Sequence, residues 1–150
     1  MHDRPARPTH PTELPCACAN LRRATRAVTQ LYDDELRESG LRTTQFTLLQ
    51  ALALTGTITQ RRLGELLSLD STTLTRTLRP LVGRGWVRSV SGMDRRERHF
   101  QLTVAGRREL GGARPQWVRA QRRLRKVLGD AAWERLQTDL LRVTEAVQAA

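Results

Sequence analysis

The chain has 150 residues, 39% of them hydrophobic and 27% charged, with a formal net charge of +11. That length suits one domain able to bury a core, and no apolar run approaches the ~20 residues needed to cross a bilayer. Lys126 is the only lysine, and the planar arginine fork suits phosphates and guanine edges, so a polyanionic partner is expected, nucleic acid ahead of an anionic membrane surface.

Residues 1–14 are rich in proline and poor in apolar side chains and are read as a flexible arm. They lack the apolar core of a signal peptide, so a cytoplasmic location is expected, with both cysteines free. Pro15 suits a first helical turn. From there to Ser39 the pattern is helical, with Leu21, Ala24, Val28, Leu31 and Glu35 on one stripe. A second helix is expected from Thr43 or Thr44 to Leu54, with Phe46, Leu49, Leu52 and Ala53 facing in. Ile58 offers a short sheet contact.

Thr59 can cap a third helix, "QRRLGELL", and Asp70 or Ser71 a fourth, "STTLTRTLRPL", across the tight turn "SLD". Two short helices joined in this way form a helix-turn-helix. "WVRSV" and "RHFQL" then read as the strands of a hairpin whose tip, "SGMDRRE", is basic. Thr103 can cap a long helix, interrupted at "GGARP" and ended by Gly129 and Asp130. The last helix carries Trp133, Leu136, Leu140, Val143 and Val147 three and four apart, a narrow seam suited to packing on another helix. Trp117 and Trp133 are expected in a helical dimer core, and Trp86 beneath the fourth helix. Pro80 should bend the fourth helix near Arg76–Arg79 or end it early.

In the fourth helix Leu74, Leu78 and Leu81 are spaced to face the core. The other face shows Ser71, Thr72, Thr73, Thr75, Arg76 and Arg79, with no acid after Asp70. Short hydroxyls followed by arginine suit a helix in the DNA major groove. The hairpin tip beside it would place Arg95 or Arg96 in a flanking minor groove, with Asp94 pairing to a nearby arginine to hold the tip in shape. A solvated polar face and a charged turn are the plainer alternatives. There is no "HExxH", no phosphate-binding glycine loop and no "GxSxG", so catalysis is not expected, nor is a cofactor.

The segment from Leu63 to Leu110 resembles the winged helix-turn-helix core of the MarR family of bacterial transcription regulators. The matching features are the recognition helix, the glycine before the first wing strand, the Asp-Arg-Arg tip and the "LTVAGR" segment opening the next helix. The resemblance implies a mainly α fold with a small β-hairpin wing over 15–150. Dimerisation helices would lie at 15–40 and 104–150, with a DNA-binding lobe at 43–103. It also implies a homodimer on a pseudo-palindromic operator in double-stranded DNA, acting as a repressor and released by a ligand or oxidant. A non-specific architectural DNA-binding protein is the alternative, and a basic module without DNA is a third.

"PCACANLRRATRAVTQLYDDEL" holds both cysteines near a helix start, where thiolates are favoured and react with peroxides. Two helical residues two apart project about 200° from each other, so Cys16 and Cys18 would bridge to another subunit or a small thiol rather than to each other. The segment also resembles the organic-hydroperoxide-sensing subgroup of the family. Cys18 in "CANL" matches the reactive cysteine and Tyr32 a tyrosine that hydrogen-bonds it, while Thr43 stands where a second tyrosine is expected. Cys16, Cys18 and Tyr32 are therefore candidate sensing residues. Packing of the thiols, and a metal site with His2 or His10, are the other readings, and no metal site is assigned. A small aromatic ligand, such as a phenolic acid between the dimerisation helices and the lobe, is a further inducer class implied by the family.

Overall fold

The computed structural model describes residues 16–91 and 97–149. The predicted arm with His2 and His10, Pro15, and the hairpin tip at 92–96 lie outside them. Helix α1 (Ala17–Leu36) runs into a short 3-10 turn (Arg37–Ser39) and is followed by α2 (Thr43–Thr55), strand β1 (Ile58–Thr59), α3 (Gln60–Leu67) and α4 (Ser71–Gly83). Strands β2 (Val87–Ser91) and β3 (Arg98–Leu102), then α5 (Val104–Leu128) and α6 (Asp130–Gln148), complete the order. The fold is mainly helical with one antiparallel sheet, β1-β3-β2, as expected.

Local chemistry places the boundaries. Thr59 caps α3 by accepting from the Arg62 amide at 3.2 Å, and Asp70 caps α4 by accepting from the Thr73 amide at 2.8 Å. Thr103 caps α5 by accepting from the Gly106 amide at 3.0 Å. Each satisfies an amide that has no partner within its own helix. In the sheet Ile58 pairs with Phe100 and Val87 with Leu102. Val87, Phe100 and Leu102 turn inward while Arg88 and Arg98 stay exposed, following the two-residue period of a strand.

The core joins Leu36, Leu41, α2, Leu63, the α4 leucines and the sheet. Leu74, Leu78 and Leu81 are buried, as their spacing predicted. The predicted stripe on α1 is only partly inward. Leu21 and Ala24 are exposed and Val28, Leu31 and Glu35 half-buried, while Tyr32 and Leu36 take the buried positions. Leu140, Leu141, Val143 and Val147 of α6 are also exposed.

Three further expectations are corrected. Helix α5 is not interrupted at "GGARP" but runs unbroken through Pro115. Ala113 and Ala120 on its inner face are buried, and α1 and α2 pack along it, so tertiary packing overrides the local breakers. Trp117 is not in a separate helical core: its ring stacks on Phe46 of α2 with centroids 5.8 Å apart, against the main core. Of the two outcomes expected of Pro80, the early end is the one corrected: α4 continues to Gly83, with the Arg84 amide bonded to the Pro80 carbonyl.

Asp33 of α1 ties α1 to the start of α2. It accepts from the Thr43 amide and hydroxyl, each at 2.7 Å, and from Arg42 at 3.2 Å. Partial burial alone would raise its pKa, but the bonds from Thr43 and Arg42 outweigh burial and hold the carboxyl below its ordinary value. Its stabilisation is therefore complete above the unfolded carboxylate range and is lost as pH falls through the lowered value. Asp33→Ala is expected to lower stability by about 1–2 kcal/mol at neutral pH. Urea denaturation should show the gap to the unsubstituted protein closing in acid, and a gap independent of pH would contradict this role.

Candidate nucleic-acid interface

Helix α4 brings most of the predicted contact residues onto one exposed surface. Ser71, Thr72, Thr75, Arg76 and Arg79 are all exposed. At 100° per residue, Thr72, Arg76 and Arg79 fall within about 60° of one another, opposite the leucine face. Among the described residues, no acid forms an ion pair with Arg76 or Arg79. Two unpaired guanidiniums and a hydroxyl on one ridge make a donor-rich, cationic surface.

Thr73 sits differently. It is half-buried, and both its amide and its hydroxyl donate to Asp70, at 2.8 and 2.7 Å. These two bonds, the hydroxyl first, hold the Asp70 carboxyl below its ordinary pKa. The Thr73 side chain thus closes the helix cap, with its proton already committed. Thr77 likewise donates its hydroxyl to the Thr73 carbonyl at 2.9 Å.

Between α3 and α4 the turn is tight. Ser68 adopts a left-handed φ of 52°, and the Leu69 amide donates to the Gly64 carbonyl at 2.9 Å. A groove of about 770 Å³ opens there, lined among others by Gln60, Arg61, Ser71, Glu97 and Arg98. Gln60, on its lining, donates to the Thr75 hydroxyl at 2.9 Å. Sequence reasoning missed Gln60, because a contact spanning fifteen residues leaves no local pattern.

The wing is rooted firmly. Trp86 lies one residue before β2, half-buried against the core, with its amide bonded to the Leu81 carbonyl at 3.0 Å and Arg84 stacked over its ring at 4.7 Å. Arg88 on β2 donates to Gln101 on β3 at 3.0 Å. Asp94, Arg95 and Arg96 fall in the segment outside the described residues.

The candidate sensing residues are not brought together. Cys16, at the N-cap of α1, and Cys18 are both exposed. Tyr32 is buried, and burial raises its pKa. Fourteen residues of one helix separate Cys18 from Tyr32 by about 21 Å, so no bond between them can form within one chain. Cys16 has an extended backbone, φ −134° and ψ 111°, so the geometric objection based on two helical cysteines does not apply to this pair. Thr43, at the position of the missing tyrosine, is held by Asp33. Among the described residues, no group of three or more His, Cys, Asp or Glu side chains could hold a metal ion, and no helix is long and apolar enough to cross a membrane.

A two-helix unit with a rooted β-hairpin beside its second helix defines a winged helix-turn-helix. Comparison with known proteins gives the same result. The model of the MarR family matches residues 41–97. The crystal structure of the Mycobacterium tuberculosis transcriptional regulator MosR in complex with DNA superposes with a TM-score of 0.81 at 37% identity, over 89% of this chain and 97% of that one. A variant of Escherichia coli MarR complexed with operator DNA is similar in fold, with a TM-score of 0.76 at 24% identity, over 84% of this chain and 91% of that one. YwoH of Bacillus subtilis, an uncharacterised HTH-type transcriptional regulator, is 30% identical over 83 residues. That match spans 55% of this chain and 61% of YwoH. The chain belongs to the MarR family, whose members are transcriptional regulators and not enzymes.

Proposed function

We propose that this chain is a sequence-specific regulator of transcription that binds double-stranded DNA as a homodimer on a pseudo-palindromic operator, acting as a repressor. The observation that carries the reading is the exposed ridge of Thr72, Arg76 and Arg79 on α4, with no acid pairing either arginine among the described residues. Ser71 and Thr75 flank the ridge. MosR, the relative with 37% identity, was crystallised with DNA. Residues 43–103 are assigned to the DNA-binding lobe, and 15–40 and 104–150 to dimerisation, in a cytoplasmic protein. The exposed apolar residues of α1 and α6, among them Leu21, Leu140 and Val147, support that division, since apolar surface of this kind is what a second copy would cover.

The wing tip supplies Arg95 and Arg96 to the flanking minor groove, with Asp94 shaping the turn. Arg96→Ala is expected to weaken operator binding and to lower the slope of log affinity against log salt by about 1. Fluorescence anisotropy over a salt series checks this, and an unchanged affinity and slope would remove Arg96 from the contacts.

The signal is assigned to one of two classes, a small aromatic ligand or an organic hydroperoxide. Exposure of both thiols supports the second. Operator binding lost on treatment with cumene hydroperoxide and restored by dithiothreitol would favour thiol sensing through Cys18. Binding indifferent to oxidant would remove both cysteines from sensing and leave the aromatic ligand.

A further inference from the structure

We infer that Gln60 sets the hydrogen-bonding polarity of Thr75, and so decides to which base-pair edges or phosphates that threonine donates. The inference rests on the DNA-binding reading above. A threonine hydroxyl has one proton to give and two lone pairs. Left alone on a helix it can turn its proton inward to the carbonyl four residues back. Thr77 does so, as do Thr55, Thr138 and Thr144. Thr73 gives its proton to Asp70 instead.

Thr75 is placed otherwise. The Gln60 Nε2–H donates into its oxygen at 2.9 Å, which occupies a lone pair and directs the Thr75 proton away from Gln60. Among residues 73, 75 and 77 of α4, Thr75 is therefore the threonine left with a proton to offer outward. It is exposed and flanks Arg76 and Arg79.

The donor is fixed from both sides. Gln60 is the first residue of α3, half-buried, and follows Thr59, which caps α3 and pairs with His99 in the sheet. Its side chain therefore starts from a backbone held by the helix start and by the sheet. An outward proton suits acceptors: guanine O6 and N7, adenine N7, thymine O4 or a phosphate oxygen. The amino groups of cytosine and adenine are donors, and Gln60 leaves them only one of the two Thr75 lone pairs. Gln60 acts through Thr75 and is a positioning residue for specificity.

The test is a double-mutant cycle in the full-length chain with Gln60→Ala, Thr75→Val and the pair. Binding is read on the chain's own promoter duplex, on that duplex with each half-site base pair replaced in turn, and on a random duplex at the same salt. Each single change is expected to weaken promoter binding about threefold to tenfold while leaving the random duplex nearly unaffected, and the double variant should lose no more than the worse single variant. Gln60→Glu, which can only accept, should draw the Thr75 proton inward and shift preference at one base pair towards an exposed amino group. Additive losses, or equal losses on promoter and random DNA, would overturn the role of Gln60. An unsubstituted protein that fails to discriminate promoter from random duplex would instead overturn the DNA reading, and this inference with it. Thermal melting of each variant identifies any loss that comes from unfolding.

Discussion

Replacing Gly106 by alanine is expected to destabilise the fold by about 3 kcal/mol or more, at the upper end of overpacking costs. A Cβ at this position would sit 2.1 Å from the Trp86 carbonyl oxygen, 2.9 Å from its carbon and 2.7 Å from Leu102 Cδ1. The leucine could turn, but the carbonyl cannot easily move. The Trp86 amide is bonded to the Leu81 carbonyl at 3.0 Å, and the Trp86 carbonyl accepts from the Thr103 amide at 3.0 Å and its hydroxyl at 3.1 Å. The Thr103 hydroxyl also reaches the Gly85 carbonyl at 2.7 Å. The start of α5 is thus clamped onto the residues that lead into the first wing strand, and Gly106 is the residue that lets the two backbones touch. Gly112→Ala on the same helix is the control. Nothing lies within 4 Å of a Cβ there, so alanine should be neutral or stabilise by up to about 1 kcal/mol. Urea denaturation of both variants measures the contrast, and a Gly106 variant within about 0.5 kcal/mol of the unsubstituted protein, the range of an ordinary surface change, would contradict the clamp.

The second large effect is on DNA. Arg76→Ala should cost about 1–3 kcal/mol of discrimination, roughly fivefold to more than a hundredfold on the operator, if its fork is read against a base edge. Arg76→Lys should recover little of it, because lysine offers a point charge in place of the planar fork. The exposed position of Arg76 between Thr72 and Arg79 on the helix surface, with no ion-pair partner among the described residues, motivates the expectation. Competition binding against operator and random duplexes decides it. A loss shared equally by both duplexes would make Arg76 a phosphate contact and move base reading elsewhere on α4.

What the sequence disclosed and what it concealed divide along the range of the interactions. The caps Thr59, Asp70 and Thr103 were legible, because a cap is a hydroxyl or carboxylate within three residues of the amide it satisfies. Leu74, Leu78 and Leu81 were legible from their period. The continuity of α5 was not. "GGARP" is locally a break, and only the packing of α1 and α2 along Ala113 and Ala120 carries the helix through it. The stacking of Trp117 on Phe46 and the bonds from Thr43 to Asp33 and from Gln60 to Thr75 join residues ten to about seventy positions apart, and no local pattern announces them. At the site, the polar face of α4 was visible, but Thr73 was not separable from its neighbours. Its commitment to the cap shows only when the Asp70 carboxylate is placed.

Sequence reading is proposed to reside in the ridge on α4. The most direct measurement is the affinity of the purified, reduced protein for its own promoter duplex and for a random duplex of equal length, at ~150 mM salt, where charge-only binding is weak. A ridge that reads sequence is expected to give a preference of at least about a thousandfold for the promoter duplex. Equal, salt-sensitive binding to both would contradict it and make the chain an architectural coat driven by its net charge of +11.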